Sequence, residues 1–211
     1  MGDRLRPLWD FGDLAVSESR FRAQLENERS DEGRAEVLTQ LARVRGLQDQ
    51  FAEGDRLLDE ATTLAGTSAI AGIRVELERG RLRRSSGDVA AALPLFESAF
   101  EHACDAGELF LAADAAHMAA LASPDRSGML AWTDRGTRIA ESSSDPQVYY
   151  WLGPLLNNLG SAYMESREYE QALDCFRRAL EVRKRYPDNP EAIEFARESV
   201  DEALRALGRE S

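Results

Sequence analysis

The sequence has little of what enzymes and secreted proteins usually display. Its two cysteines, Cys104 and Cys175, each fall within a helical pattern, and no disulfide framework can be built from them. Reduced thiols in a cytoplasmic protein are the simplest reading. Its two histidines, His102 and His117, form with Cys104 no metal-site spacing such as C-x2-C or H-E-x2-H, so neither a metal nor another cofactor is expected. No G-x4-G-K-S/T, G-x-G-x-x-G or G-x-S-x-G run occurs, and nothing singles out a catalytic pair among the many carboxylates. An enzyme is not expected. No run approaches about 18 apolar residues, and MGDRLRPLWDFGD has neither an apolar core nor a small-residue cleavage site, so membrane spanning and export are not expected either. Gly2 follows Met1, but Arg6 stands where an acylation signal requires Ser or Thr. Lysine is nearly missing too: Lys184 stands alone among arginines, which reads as coding bias.

What remains is helical and acidic. The 211 residues suit one domain or one short solenoid; 43% are apolar and 30% charged, as in a soluble helical protein with a core. A net charge of -12 argues against a nucleic-acid or membrane-surface partner.

The best-patterned stretch is LNNLGSAYMESREYEQALDCFRRAL, from Leu156 to Leu180. Leu156, Leu159, Gly160 and Tyr163 share one helical face; Tyr169, Ala172, Leu173, Phe176, Ala179 and Leu180 share another. The two halves fit W-x2-L-G-x2-Y and A-x3-F, with Leu156 in the Trp slot, and resemble a tetratricopeptide repeat, most closely the extended repeats of kinesin light chains and their bacterial relatives. The resemblance implies an all-α fold: a right-handed α-α superhelix of about four helical hairpins, with an N-terminal helix and a C-terminal capping helix.

The rest of the chain repeats that unit more weakly. Residues 1–16 are expected to form a strap and residues 17–211 the solenoid, in units of about 31–66, 68–106, 107–142 and 145–186 with a cap at 190–208. The strap carries Trp9 and Phe11, which need a dry place. It either packs on the first helices, the favoured reading, or occupies the groove and leaves when a partner binds. A first helix is expected from Ser17, as N-cap, to about Arg29, with Phe21 and Leu25 inward. In the first unit Val37, Leu38, Leu41 and Val44 precede a loop near Gly46, and Gly66 ends the second helix. In the second, Gly80 takes the close-approach slot, Ser86-Gly87-Asp88 the turn, and Ala92, Phe96 and Ala99 the second helix, which Pro94 should kink. The third opens its second helix at Ser123-Pro124 and is degenerate, with Met129, Trp132, Thr133 and Gly136 in the packing slots. Asp145 to Gly153 is either a separate short helix ending at Gly153-Pro154 or the start of one long helix kinked there, the second being preferred. Core packing is favoured over an exposed hot spot for Trp132, Tyr149, Tyr150 and Trp151. Pro187 to Pro190 turns the chain into the final helix.

The first helix of each unit lines the inner wall in the family that the chain resembles. Projected here, those positions are Thr39 and Arg43, then Arg74, Leu77, Arg81 and Arg84, then Leu111, Asp114 and Met118, then Asn157, Ser161 and Met164. Four arginines suit an acidic peptide or a C-terminal carboxylate. Equally, Glu78 lies at helical spacing from both Arg74 and Arg81, and such pairs usually decorate a solvated face. Both readings stand. Asn158 matches one asparagine of the carboxylate clamp of chaperone-binding repeats, but its other slots are not filled. The expected function is a non-enzymatic scaffold or adaptor that holds a protein or peptide in its groove. The alternatives are a peptide-sensing regulatory protein and a self-associating structural repeat, with a homodimer as one form.

Overall fold

The computed structural model describes residues 3–209. Met1, Gly2, Glu210 and Ser211 lie outside it, and with them the first two residues of the expected strap and the glycine weighed for acylation. Every regular element among the described residues is helical, as the repeat pattern implies. By contact the chain divides into two units, Met1–Ala122 and Ser123–Ser211, a boundary that falls inside the third expected hairpin.

The first unit holds a 3-10 turn (Arg6–Leu8) and six helices: α1 (Leu14–Asn27), α2 (Asp31–Leu47), α3 (Phe51–Ala65), α4 (Ala69–Ser85), α5 (Val89–Asp105) and α6 (Leu109–Ala122). α2 pairs with α3 and α4 with α5; α4 also lies against α2 and α6, so that α2, α4 and α6 are successive neighbours. The second unit holds α7 (Arg126–Ser142), a short α8 (Pro146–Tyr149), α9 (Leu152–Glu165), α10 (Tyr169–Arg183) and α11 (Pro190–Ala206). There α9 pairs with α10, α7 lies against α8 and α9, and α11 covers α10.

Local chemistry sets the helix ends. Side chains of Ser30, Ser68, Asp88, Asp125 and Asn189 each accept a hydrogen bond from a backbone amide of the first turn, worth about 1 kcal/mol apiece. Between paired helices one residue takes a left-handed backbone: Asp49 (φ 59°), Gly87 (φ 93°) and Arg167 (φ 61°). Only at Gly87 does a residue without Cβ relieve the strain.

Each hairpin closes on a small residue opposite a large one. A Cβ built on Gly80 would come within 2.5 Å of the Phe96 ring, and a Cβ on Gly160 would strike the Phe176 ring in the same way. In the first hairpin Ala42 and Leu58 occupy those slots and are both fully buried. The packing of the first unit includes a cluster of Leu5, Phe21, Val37, Leu38, Leu41 and Val75 with their neighbours, and another of Ala42 with Leu58 and Leu82.

Several expected boundaries move. α1 begins at Leu14, capped by Asp13, because the Asp13 carboxylate reaches the amides of Ala15 and Val16; Ser17 sits inside the helix, its hydroxyl donating to the Asp10 carbonyl. α2 runs through Gly46, which lies against Leu82 because it lacks a Cβ. α7 starts at Arg126 with Asp125 as its cap, not at Ser123-Pro124. The preferred kinked helix is not found. α8 is separate and ends at Tyr149, and α9 already contains Gly153 and Pro154. Proline is tolerated there because first-turn amides have no helical acceptor. α5 is helical through Pro94, which faces solvent.

Candidate functional site

In the first unit, α2, α4 and α6 present one run of polar side chains that are buried. Thr39 and Gln40 on α2, Arg74, Glu78 and Arg81 on α4, and Asp114 on α6 are each at most 9% exposed. On α4 Arg74, Glu78 and Arg81 recur at four- and three-residue steps, so they share a face. Buried charge persists only when paired, and these groups are paired.

Arg81 is the centre. Its guanidinium donates to Glu78 Oε1 at 2.5 Å on its own helix and to Asp114 Oδ1 on the next. Burial works against the Arg81 charge, but the two carboxylates outweigh it and raise its pKa above the usual value. Burial likewise tends to raise Asp114, yet Arg81 and Arg43 hold its carboxyl below the ordinary range. Arg43 lies 3.9 Å from Glu78. Burial, reinforced by the Arg81 charge, pushes Arg43 down to about 10, so it remains charged at neutral pH. Arg74 pairs with Asp3 at 2.5 Å, and its Nε lies 3.2 Å from Glu36 but is not aligned to hydrogen-bond it. One acceptor, Glu78 Oε2, is buried with no hydrogen-bond partner.

This network bears on the projected residues of the first unit. Thr39 is fully buried, its hydroxyl donating to the Glu36 carbonyl at 2.7 Å. Leu77, Leu111 and Met118 are buried apolar residues. Arg74 and Arg81 are each held by carboxylates of the chain itself. Arg43 and Arg84 keep partial exposure, and Arg84 has no ion pair among the described residues. Glu36 and Gln40 belong to the same face and were not projected. The helical spacing of Glu36 to Gln40 to Arg43 was the available signal.

The strap crosses this face. Trp9 Nε1 donates to Gln40 Oε1 at 2.9 Å, the Trp9 and Phe11 rings stack at 4.8 Å, and the Arg43 guanidinium lies 5.1 Å and 5.5 Å from those two rings. Arg4 bridges Glu28 at 2.6 Å and Glu36 at 3.3 Å.

The second unit carries the other three projected positions on α9. Asn157 is 6% exposed, and neither its amide nitrogen nor its oxygen has a hydrogen-bond partner. Ser161 is exposed, and Met164 packs beside Ala172, Leu173 and Phe176. Trp132 and Trp151 are buried, in keeping with core packing; Arg135 lies 4.2 Å over the Trp132 ring and Arg183 4.9 Å over Tyr150. Among the described residues no cluster of His, Cys, Asp and Glu is suited to hold a metal ion, and no helix is long and apolar enough to cross a membrane.

No curated protein is similar enough to the chain to match it. Residues 154–186, which take in most of α9 and all of α10, match the family model of the tetratricopeptide repeat, whose members generally mediate protein–protein interaction through folds that are typically non-catalytic. The close approach of Gly160 to Phe176 inside that match recurs at Gly80 and Phe96, outside it. One matched hairpin and an all-helical fold packed in neighbouring pairs fit a repeat protein of the tetratricopeptide type.

Proposed function

We propose that the chain is a non-enzymatic binding module that holds a protein or peptide on the α2, α4 and α6 face of its first unit. The observation that carries this reading is the run of buried polar side chains across three successive helices. Packing alone favours apolar residues there, and paired charges in a core are often no better for stability than hydrophobic ones of like volume. Their arrangement supports recognition of a polar chain. Arg43 and Arg84 are the cations that a partner carboxylate reaches at least cost, because Arg74 and Arg81 would first have to give up their own partners.

The test is capture of partners from the source lysate with three forms of the chain. Arg84→Glu reverses an α4 charge that has no ion pair among the described residues; Arg56→Glu reverses an exposed charge on α3, where Arg56 pairs with Glu53 nearby in sequence. The expected outcome is a partner retained by the wild-type chain and by Arg56→Glu and lost with Arg84→Glu. Equal yields from all three overturn the reading.

A further inference from the structure

The strap does more than cover apolar surface: it meets the α2 and α4 face group by group. Asp3 supplies a carboxylate to Arg74, with contacts of 2.5 Å and 3.3 Å to the two terminal nitrogens. Leu5, 1% exposed, enters the cluster of Phe21, Val37, Leu38 and Val75. Trp9 gives its indole N–H to Gln40 and its ring face to Arg43.

Two features separate this contact from ordinary core packing. First, the backbone hydrogen bonds of residues 3–13 are local: Arg6 to Asp3, Leu8 to Leu5, Trp9 to Arg6 and Asp13 to Asp10. The polar links to α2 and α4 run through side chains, and the aromatic end is open, with Phe11 49% exposed. Segments held this way sit at the low end of local stability. Second, each group that the strap meets keeps another neighbour of the chain itself. Arg74 keeps Glu36 within 3.2 Å, Gln40 donates to the Thr39 hydroxyl at 3.2 Å, and Arg43 keeps Glu78 at 3.9 Å. A lifted strap leaves Arg74 and Arg43 each with a carboxylate of the chain within 4 Å.

We propose that the strap is an internal stand-in for the partner, and that the α2 and α4 face selects a segment of the same order: a carboxylate, then a leucine, then a tryptophan, placed as in Asp3, Leu5 and Trp9. The inference rests on the binding function proposed above and specifies its ligand. Tethered beside its site, the strap competes at high effective concentration, so a partner segment binds at an affinity reduced by the fraction of chains whose strap is open.

The test uses the whole chain and a fluorescein-labelled peptide, DRLRPLWDFGD, the strap's own sequence from residue 3 to residue 13. Its anisotropy is titrated with the wild-type chain and with the double variant Asp3→Ala, Trp9→Ala, which keeps the face and weakens the strap. The expected result is binding to the variant at least about tenfold tighter than to wild type, and none by a peptide carrying the same two substitutions. Equal affinity for both chains, or no binding to either while both keep wild-type helicity, overturns the proposal. Should the variant lose helicity, hydrogen exchange of the wild-type chain decides. Amides of Arg6, Leu8 and Trp9 opening well before those of α2 support the stand-in, and opening together with α2 overturns it. A lysate partner that depends on Arg84 but is not displaced by the peptide leaves the binding function standing and removes only this inference.

Discussion

Gly80 and Gly160 perform one task in two different units: each lets a phenylalanine ring lie against the bare backbone of the facing helix. Gly160→Ala should therefore lower stability by about 1–3 kcal/mol, read from urea unfolding followed by circular dichroism. Gly72 gives the contrast on α4, since a Cβ there meets nothing within 4 Å. Gly72→Ala should raise stability by about 0.5–1 kcal/mol through helix propensity alone. Asp114 makes a pH prediction. Its folded pKa is depressed, so its stabilisation is complete above the ordinary aspartate value of about 4 and is lost as pH falls through the lower folded value. Asp114→Asn should therefore lose less stability than wild type between about pH 5 and about pH 2, measured as the shift in urea midpoint. At this scale the sequence was informative about glycine and phenylalanine, whose slots repeat. It was less so about arginine: four inward arginines read equally as a ligand site and as ion pairs, and only the fold brings Asp114 and Asp3, distant in sequence, to Arg81 and Arg74.

The helices that the sequence marks clearly are those whose apolar stripe and cap agree. α11 is of this kind, with Asn189 as cap and Pro190 in the first turn. Where two capping residues stand close together, spacing alone does not choose between them. Asp13 rather than Ser17 caps α1, and Asp125 rather than Ser123 caps α7, because in each case the aspartate carboxylate reaches the first-turn amides. Asp125→Ala should lower stability by about 1 kcal/mol and speed amide exchange in the first turn of α7. The segment from Asp145 to Gly153 was misread for a different reason. Pro154 and Gly153 looked like helix breakers, but both fall at the start of α9, where a missing amide or an open backbone is tolerated, and the actual break lies at Tyr150 and Trp151.

Within each unit neighbouring helices pack in pairs, and the stability of such an arrangement is largely a sum of local and nearest-neighbour terms. Damage should accordingly stay local. Phe96→Ala, costing about 3–5 kcal/mol, should accelerate amide exchange in α4 and α5 and leave α9 and α10 near wild-type protection, as mass spectrometry of exchanged peptides would show. A chain that lost protection uniformly would contradict this. The repeat architecture was legible because one hairpin is written close to the family pattern; the anchors of the strap, Glu36, Gln40 and Arg74, were not, because they belong to helices distant from it in sequence.

The double carboxylate grip on Arg81 has a consequence for how such a face would behave in solution. Ions at physiological strength screen exposed charges beyond about 8 Å, whereas a buried trio held by direct contacts is shielded from them. Titrating sodium chloride would therefore dim whatever Arg84 contributes while sparing the lattice beneath it, so that a partner surviving concentrated brine would be held by shape and indole, not by charge.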